Sequence, residues 1–249
     1  MRLKVCTYNI HKGFSQFNRR MVIHELRERL RSLDCDVVFL QEVQGMHVVH
    51  ERTHGDWPAH PQHVFLAEDV WHQTAYGQNA VYDHGHHGNA ILSRFPIVST
   101  NNQDVSDHRF ERRGLLHCEI AVPGASDPVH CVCVHLGLMA GSRRRQMAAL
   151  ADRMETLARG DARMIIAGDF NDWRNHADFL LAQRLGLVEA FHGGTGRPAR
   201  SFPARRPVLS LDRIYVRGFR VDRSDVHCGP PWSRISDHAA LSAELELDV

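Results

Sequence analysis

One ten-residue stretch constrains this chain most: Met164-Ile165-Ile166-Ala167-Gly168-Asp169-Phe170-Asn171-Asp172-Trp173. Its first four residues form an apolar run of strand length, which predicts a buried strand. Gly168 ends the run, and polar groups follow at once. Asp169 and Asn171 stand two residues apart, so in extended backbone they project from one face. A carboxylate beside an amide at the end of a core strand suits the holding of a water or a metal against a substrate. The same residue types also form turns readily, so the stretch gains meaning only from the other strand ends of the chain.

Those ends repeat the pattern. Leu3 to Ile10 predicts a strand ending in Tyr8-Asn9. Ile23, Leu26, Leu30 and Leu33 keep helical spacing, with Asn18 in the place of a cap. Val37 to Leu40 is a second apolar run, and it ends in Gln41-Glu42. Strand, helix and strand in this order predict a βαβ-like start. Residues 44–87 are less regular and predict loops, a short helix and strands at His63 to Glu68 and Gln78 to Tyr82. From Gly88 the chain is rich in strand candidates: Asn89 to Ser93, Ile97 to Val105, Gly114 to Val122 and Val129 to Leu136. Ser142 is placed to cap a helix whose Met147, Leu150, Met154 and Leu157 share a face. A helix from about Asn175 to Leu185 follows the central strand. After a Gly-, Pro- and Arg-rich loop over Gly193 to Pro207, strands are expected at Val208 to Val216, Phe219 to His227 and Ala239 to Leu247. No change of composition marks a linker, so the expectation is one α/β domain over 1–249, with stacked sheets inside and helices outside.

Charge and composition narrow the partners. The 30 Lys and Arg residues balance 29 Asp and Glu, which argues against a partner held by bulk positive charge, such as long duplex DNA, and leaves room for a local basic groove. Six cysteines form no CxxC pair, and most lie in apolar runs, the pattern of reduced thiols in a cytoplasmic protein. The N-terminal residues lack the apolar stretch of a signal peptide, and no run has the length of a membrane span.

The chemistry follows from the polar residues at the strand ends: Asn9, Glu42, His135, Asp169 with Asn171, Asp212, and Asp237-His238. A charged group buried there is costly unless it is paired or bound to metal. Six such positions at comparable places point to one cleft. Carboxylate and amide oxygens are hard ligands suited to Mg²⁺ or Mn²⁺, and no Cys/His group has zinc-finger spacing. In such a cleft Glu42 is the natural metal ligand, and Asp169 can orient and deprotonate a water. Asn171 and His135 can donate hydrogen bonds to phosphate oxygens, and a His with an Asp partner can stabilise developing negative charge. These parts describe metal-assisted attack of water on a phosphate ester.

In order along the chain, Tyr8-Asn9, Gln41-Glu42, Gly168-Asp169-Phe170-Asn171, Leu211-Asp212-Arg213-Ile214 and Ser236-Asp237-His238 resemble the endonuclease/exonuclease/phosphatase superfamily, over residues 5 to 245. The superfamily includes exonuclease III-like nucleases, deoxyribonuclease I, neutral sphingomyelinases and inositol-polyphosphate 5-phosphatases. The resemblance implies a four-layered α/β sandwich, two facing mixed β-sheets flanked by helices, with the site at one edge. It implies that Glu42 holds Mg²⁺ (or Mn²⁺), that Asn9 orients or contacts it, and that Asp237 lies beside it. It also implies that Asp169 positions the water, that Asn171 and His238 contact the phosphate, and that Asp212 partners His238. Val134-His135-Leu136 is similar to the His-Leu motif of the sphingomyelinase-like branch. Gly88-Asn89-Ala90-Ile91-Leu92-Ser93-Arg94 is similar to the family's strand beside the cleft, which makes Asn89 a substrate-side candidate. One departure stands out: exonuclease III-type nucleases carry Asp two residues after the first Asn, where this chain has His11. With the balanced charge, this favours a small or lipid-derived phosphodiester as substrate, with DNA or RNA as the alternative.

Other features compete for attention. Arg112-Arg113 precedes a strand and offers a planar fork for a phosphate, whereas Arg143-Arg144-Arg145 opens a helix as a solvated face. Trp71 and Trp173 could stack on bases, and Trp173 can instead pack in the core or line the cleft. His50-Glu51-Arg52-Thr53-His54, with His60 beyond, fits the HExxH pattern of zinc peptidases. That motif needs a stable helix, and Gly55, Asp56 and Pro58 would stop one at once. With 19 histidines in the chain, a chance match is unsurprising, and zinc peptidase stands as the distant alternative.

Overall fold

The computed structural model describes residues 1–247. In chain order its elements are β1 (Arg2–Asn9), α1 (Ile23–Ser32), β2 (Val37–His47), α2 (Val48–Thr53), α3 (Gln62–Ala67), β3 (Gln73–Tyr82), β4 (Gly85–Ser93), β5 (Ile97–Asp104), β6 (Gly114–Ile120) and β7 (Val129–His135). They continue with α4 (Ala140–Leu157), β8 (Met164–Asp169), α5 (His176–Leu185), β9 (Val188–Glu189), α6 (His192–Thr195), β10 (Asp212–Arg217), β11 (Phe219–His227) and β12 (Ala240–Leu247).

Two βαβ units set the architecture. In the first, β1 and β2 run parallel with Asn9 opposite Gln41, joined through α1. In the second, β7 and β8 run parallel with His135 opposite Asp169, joined through α4. Every other ladder is antiparallel. The result is two mixed six-stranded sheets, ordered β11-β12-β1-β2-β4-β3 and β5-β6-β7-β8-β10-β9.

Burial explains why the central strands read as unbroken apolar runs. Leu3, Val5, Val37, Phe39 and Ile91 of the first sheet meet Leu116, Cys131, Ile165 and Ile214 of the second in one core. The intervening residues Cys6, Tyr8, Val38 and Leu40 point outward and pack under Ile23, Leu26 and Leu30 of α1. On the far side, Val132, Val134 and Ile166 pack under Met147, Leu150 and Met154 of α4 and Leu181 of α5. Strands covered on both faces have no polar side to show, and each fully buried aliphatic side chain contributes roughly 1.5–3 kcal/mol. Helix, sheet, sheet and helix make the expected four layers.

Several local expectations are corrected. His63 to Glu68 lies mostly in α3, because Phe65 and Leu66 pack on the α1 side of the first sheet, at helical spacing behind Pro61. Asn18 does not cap α1: it sits in a separate turn with φ 53°, and Val22 precedes the helix. Ser142 is inside α4, two residues past its start, and its hydroxyl donates to Asp107 at 2.6 Å. Strand β10 begins at Asp212, since residues 208–211 belong to a loop in which Leu209 pairs with Phe202. Arg143 is no solvated residue; it is 2% exposed, unlike exposed Arg144 and Arg145. All six thiols are free, and only Cys228 is exposed. Among the described residues no helix is long and apolar enough to cross a membrane.

Candidate active site

The parallel pairs end at the same edge of the sandwich, and their antiparallel neighbours begin there. Asn9 closes β1, His135 closes β7 and Asp169 closes β8, while Asp212 opens β10 opposite Asp169. His238 stands just before β12. The sheets are tied together at this edge by Asn9, whose Nδ2 donates to Asp169 Oδ2 at 3.2 Å.

Local backbone rules place each group. Gly168 has φ +149°, and a Cβ there would meet the Val134 carbonyl oxygen at 1.9 Å, so only glycine lets β8 come this close to β7. Asn171 adopts φ 49°, a conformation Asn tolerates better than most residues, and its amide N–H donates to Asp169 Oδ1 at 2.9 Å. Glu42 lies in an irregularity of β2 between Leu40 and Val43, with φ 56°. Such a bulge re-aims a side chain. Gln41 stays inside, donating to Thr7 Oγ1 and the Phe39 carbonyl, while Glu42 reaches the cleft.

At the centre, the His238 ring pairs through Nδ1 with Asp212 Oδ2 at 2.8 Å and presents Nε2 to Asp169 Oδ2 at 3.8 Å. His135 Nε2 approaches the same oxygen at 3.6 Å. Ser236 supports this arrangement: its hydroxyl donates to the Asn9 carbonyl at 2.7 Å and accepts the His238 N–H at 3.2 Å. Phe202 lies against the His238 ring at 5.1 Å between centroids.

The electrostatics separate the groups. Burial would push the His238 imidazole down, but the Asp212 carboxylate outweighs it and raises the pKa to about 10. Burial pushes Asp169 up to about 7, with Asp212 adding to the rise and His238 opposing it. His135 is held well below the ordinary imidazole range by burial and then by Arg113 and His238. Burial would also raise Glu42, yet Lys12, His11, His87 and His238 together bring it below the usual carboxylate value. At neutral pH the edge thus carries a cationic His238, an ionised Glu42 and a carboxyl, Asp169, close to its midpoint.

Of the residues singled out from sequence, Asn9, Glu42, Arg113, His135, Asp169, Asn171, Trp173 and His238 line one cleft of about 320 Å³. Asp212 sits behind His238, fully buried, and its Oδ1 has no hydrogen-bond partner. Asp237 borders the neighbouring depression and faces His11 Nδ1 at 3.4 Å. Two candidates fall elsewhere. Asn89 is 1% exposed and spends its Nδ2 on the carbonyls of Gly114 and Cys133, tying the sheets together. Arg112 points outward to Asp104 at 3.9 Å, while Arg113 is held at the cleft by Glu111 and the Leu136 carbonyl.

The structure adds residues that sequence reasoning missed. Leu138, Phe202, Leu209 and Leu211 give the cleft an apolar wall, and nothing in a loop sequence marks a residue as a wall. Lys12 places its ammonium 3.7 Å from Glu42. Arg143 donates to the carbonyls of Gly137 and Leu138 and stacks over Trp173, 4.6 Å from the ring centre. Its burial was masked by two arginine neighbours that are solvated.

The HExxH match is not assembled as a metal site. Helix α2 stops at Thr53, and Phe14 packs on the rings of His50 and His54 at 4.9 and 5.6 Å. Among the described residues, the groups of three or more ligating side chains that converge are Asp169/Asp212/His238 and His117/Glu119/His130.

The same fold recurs in known proteins. The chain is 47% identical to the uncharacterised protein YbhP of Escherichia coli (strain K12), over 98% of this chain and 96% of YbhP. An endonuclease/exonuclease/phosphatase protein from Beutenbergia cavernae superposes with a TM-score of 0.77 at 20% identity, covering 99% of this chain and 72% of that one. A mannosyl-6-phosphatase from Bacteroides thetaiotaomicron does so with a TM-score of 0.73 at 17% identity, over 98% of this chain and 100% of its own. With the family's sequence profile matching residues 6–238, the chain belongs to the Endonuclease/Exonuclease/phosphatase family.

Proposed function

We propose that this chain is a divalent-metal-dependent phosphoesterase whose substrate is a small or lipid-derived phosphodiester with an apolar or aromatic group beside the scissile phosphate. The observation that carries the proposal is the Asp212–His238–Asp169–Asn9 chain of contacts across the two sheet ends, set beside Glu42 and an apolar wall.

The donor set fits Mg²⁺ or Mn²⁺. Glu42 offers a carboxylate aimed into the cleft and already facing a positive charge, Lys12; Asn9 lines the same cleft, and Asp237 borders the neighbouring depression. Hard oxygen donors few in number, with room for water, are what these ions take. When bound, the ion supplies charge neutralisation and polarisation of the phosphate.

The chain's own residues do the rest. Asp169, held by Asn9 Nδ2 and the Asn171 N–H, orients a water and accepts its proton as the water oxygen attacks phosphorus; the opposite P–O ester bond breaks, and the alcohol departs after its oxygen takes up a proton from solvent. A base titrating near neutrality is well matched to this task. His238, kept cationic by Asp212, donates to a phosphate oxygen and offsets the growing negative charge. Asn171 is fixed by its own donation to the Leu136 carbonyl at 2.9 Å and stands beside His135 to hold the phosphate. Arg113 adds positive charge, and Trp173 with Leu138 and Phe202 receives the apolar part of the substrate.

Nuclease activity is the second reading. It is favoured by Trp173, 44% exposed at the cleft with Arg143 behind its ring, a ready stacking surface for a base. A metal-supplemented screen decides between them, using bis(p-nitrophenyl) phosphate, phospholipids, inositol phosphates, sugar phosphates and oligonucleotides with abasic sites. The expected result is diester hydrolysis that is lost in EDTA and in Asp169→Asn. Hydrolysis that survives Asp169→Asn would overturn the proposal.

A further inference from the structure

A second polar cluster lies on the outer face of the β6–β7 ladder, away from the cleft. Residues 115, 117 and 119 of β6 alternate with Leu116, Cys118 and Ile120, which fill the core between the sheets. His117 and Glu119 therefore share the helix-facing side with Leu115. On β7, His130 shares that side with Val132 and stands directly opposite Glu119 in the ladder. One donor atom from each of His117, Glu119 and His130 lies within 4.8 Å of the others. His130 is five residues before His135 on the same strand, which places the cluster about 17 Å from the cleft end.

We propose that His117, Glu119 and His130 form a second metal site, selective for a borderline ion such as Zn²⁺. Two imidazoles and one carboxylate are a three-ligand set that leaves a further position for water, and imidazole nitrogens favour zinc over the Mg²⁺ suited to the oxygen donors of the cleft. The two imidazoles are already nearly parallel, 12° apart, and are joined by a hydrogen bond between His117 Nε2 and His130 Nδ1 at 3.0 Å, which an ion held between them would replace. Both are at least nine-tenths buried. The Glu119 carboxylate forms no hydrogen bond or ion pair among the described residues, so it is at liberty to swing onto an ion at the imidazole pair.

Access and charge also suit a cation. Glu119 and His130 open onto a surface cavity of about 920 Å³ that is also lined by Asp127 and Asp161. Of the nearby arginines, Arg153 is bound to Gln103 and Asn101, and Arg217 to the carbonyls of Ala158, Ala162 and Leu185. Arg159 and Arg163 stand on the cavity wall and set the opposing charge that the carboxylates must outweigh. Bridging β6 to β7, an ion here would pin the strand that ends in His135.

The test is metal retention by the full chain. Protein stripped with chelator is loaded with Zn²⁺ in excess Mg²⁺, desalted and assayed for bound zinc, with Co²⁺ as a spectroscopic stand-in. Glu42→Gln with Asp169→Asn should still hold one zinc, which separates this site from the cleft. Glu119→Gln, at a half-buried side chain with no hydrogen bond to lose, should weaken binding about tenfold or more and alter the Co²⁺ ligand-field bands. His130→Gln should abolish retention. Zinc binding and Co²⁺ bands unchanged in both Glu119→Gln and His130→Gln would overturn the proposal, as would wild-type protein that retains no zinc.

Discussion

Replacing Asp212 by Asn tests the centre of the site without changing its shape. Asp212 is fully buried and touches the His238 ring at 2.8 Å, with the ring itself 8% exposed on its side chain. Burial alone would leave this imidazole neutral, and the Asp212 carboxylate lifts it to about 10. Against an ordinary value near 6.5, that rise corresponds to a stabilisation of the imidazolium on the order of 5 kcal/mol. Asn keeps the volume and a hydrogen-bonding group but removes the charge, so His238 should titrate at or below its ordinary value. At mildly alkaline pH the variant would meet the phosphate with a neutral ring, and turnover should fall about a thousandfold, within the range for losing a positioned acid or charge. NMR titration of the His238 ring, alongside the pH dependence of kcat on bis(p-nitrophenyl) phosphate, measures both effects. A wild-type His238 that titrates near 6.5, or an Asp212→Asn enzyme with an unchanged alkaline limb, would refute the reasoning.

Asp169→Asn should cost about a thousandfold in turnover while circular dichroism stays native, because the amide can still accept from the Asn171 N–H. In wild type, activity should rise as pH passes about 7, where Asp169 ionises, and fall through about 10, where His238 loses its proton. For stability, the raised Asp169 value means that the folded state binds the extra proton. Its contribution is therefore full below the ordinary carboxylate range and lost as pH rises through about 7, so urea melts should find Asp169→Asn gaining on wild type towards alkaline pH. Gly168→Ala should destabilise by about 2 kcal/mol or more, since its methyl would strike the Val134 carbonyl; a Tm equal to wild type would remove the close-approach explanation. Glu51→Gln should leave phosphodiester hydrolysis intact, as Glu51 lies outside the cleft on a six-residue helix.

The layers were legible because burial on both faces leaves a plain trace. Val37 to Leu40 and Met164 to Ala167 carry no polar residue, as expected of strands sandwiched between a helix and a second sheet. The short segments were less legible. Phe65 and Leu66 fit a strand or a helix equally over six residues, and packing on the first sheet decides for the helix. Asn89 looked like a cleft residue because its strand passes the cleft, but its Nδ2 donates to two carbonyls inside the sandwich. Arg143 is indistinguishable by type from Arg144 and Arg145, and only the position of Gly137, Leu138 and Trp173 in space gives it a role.

The position of the site follows from strand direction. Each sheet has one parallel pair, so each has one edge at which two chains leave a strand together and their antiparallel neighbours enter. Residues on the parallel strands must then come at the close of an apolar run, as Asn9, Glu42, His135 and Asp169 do. Residues on the antiparallel neighbours must come before one, as Asp212 and His238 do. The sequence therefore presents the same edge in two opposite orders. Apolar-then-polar motifs in one half of the set and polar-then-apolar motifs in the other are what a single cleft between two βαβ units requires. A true βαβ repeat without antiparallel partners would supply only the first kind. The Asp212–His238 pair, drawn from one neighbour strand in each sheet, can form only if the two parallel pairs point to the same edge. That makes this pair, more than any single motif, the link between the fold and the chemistry.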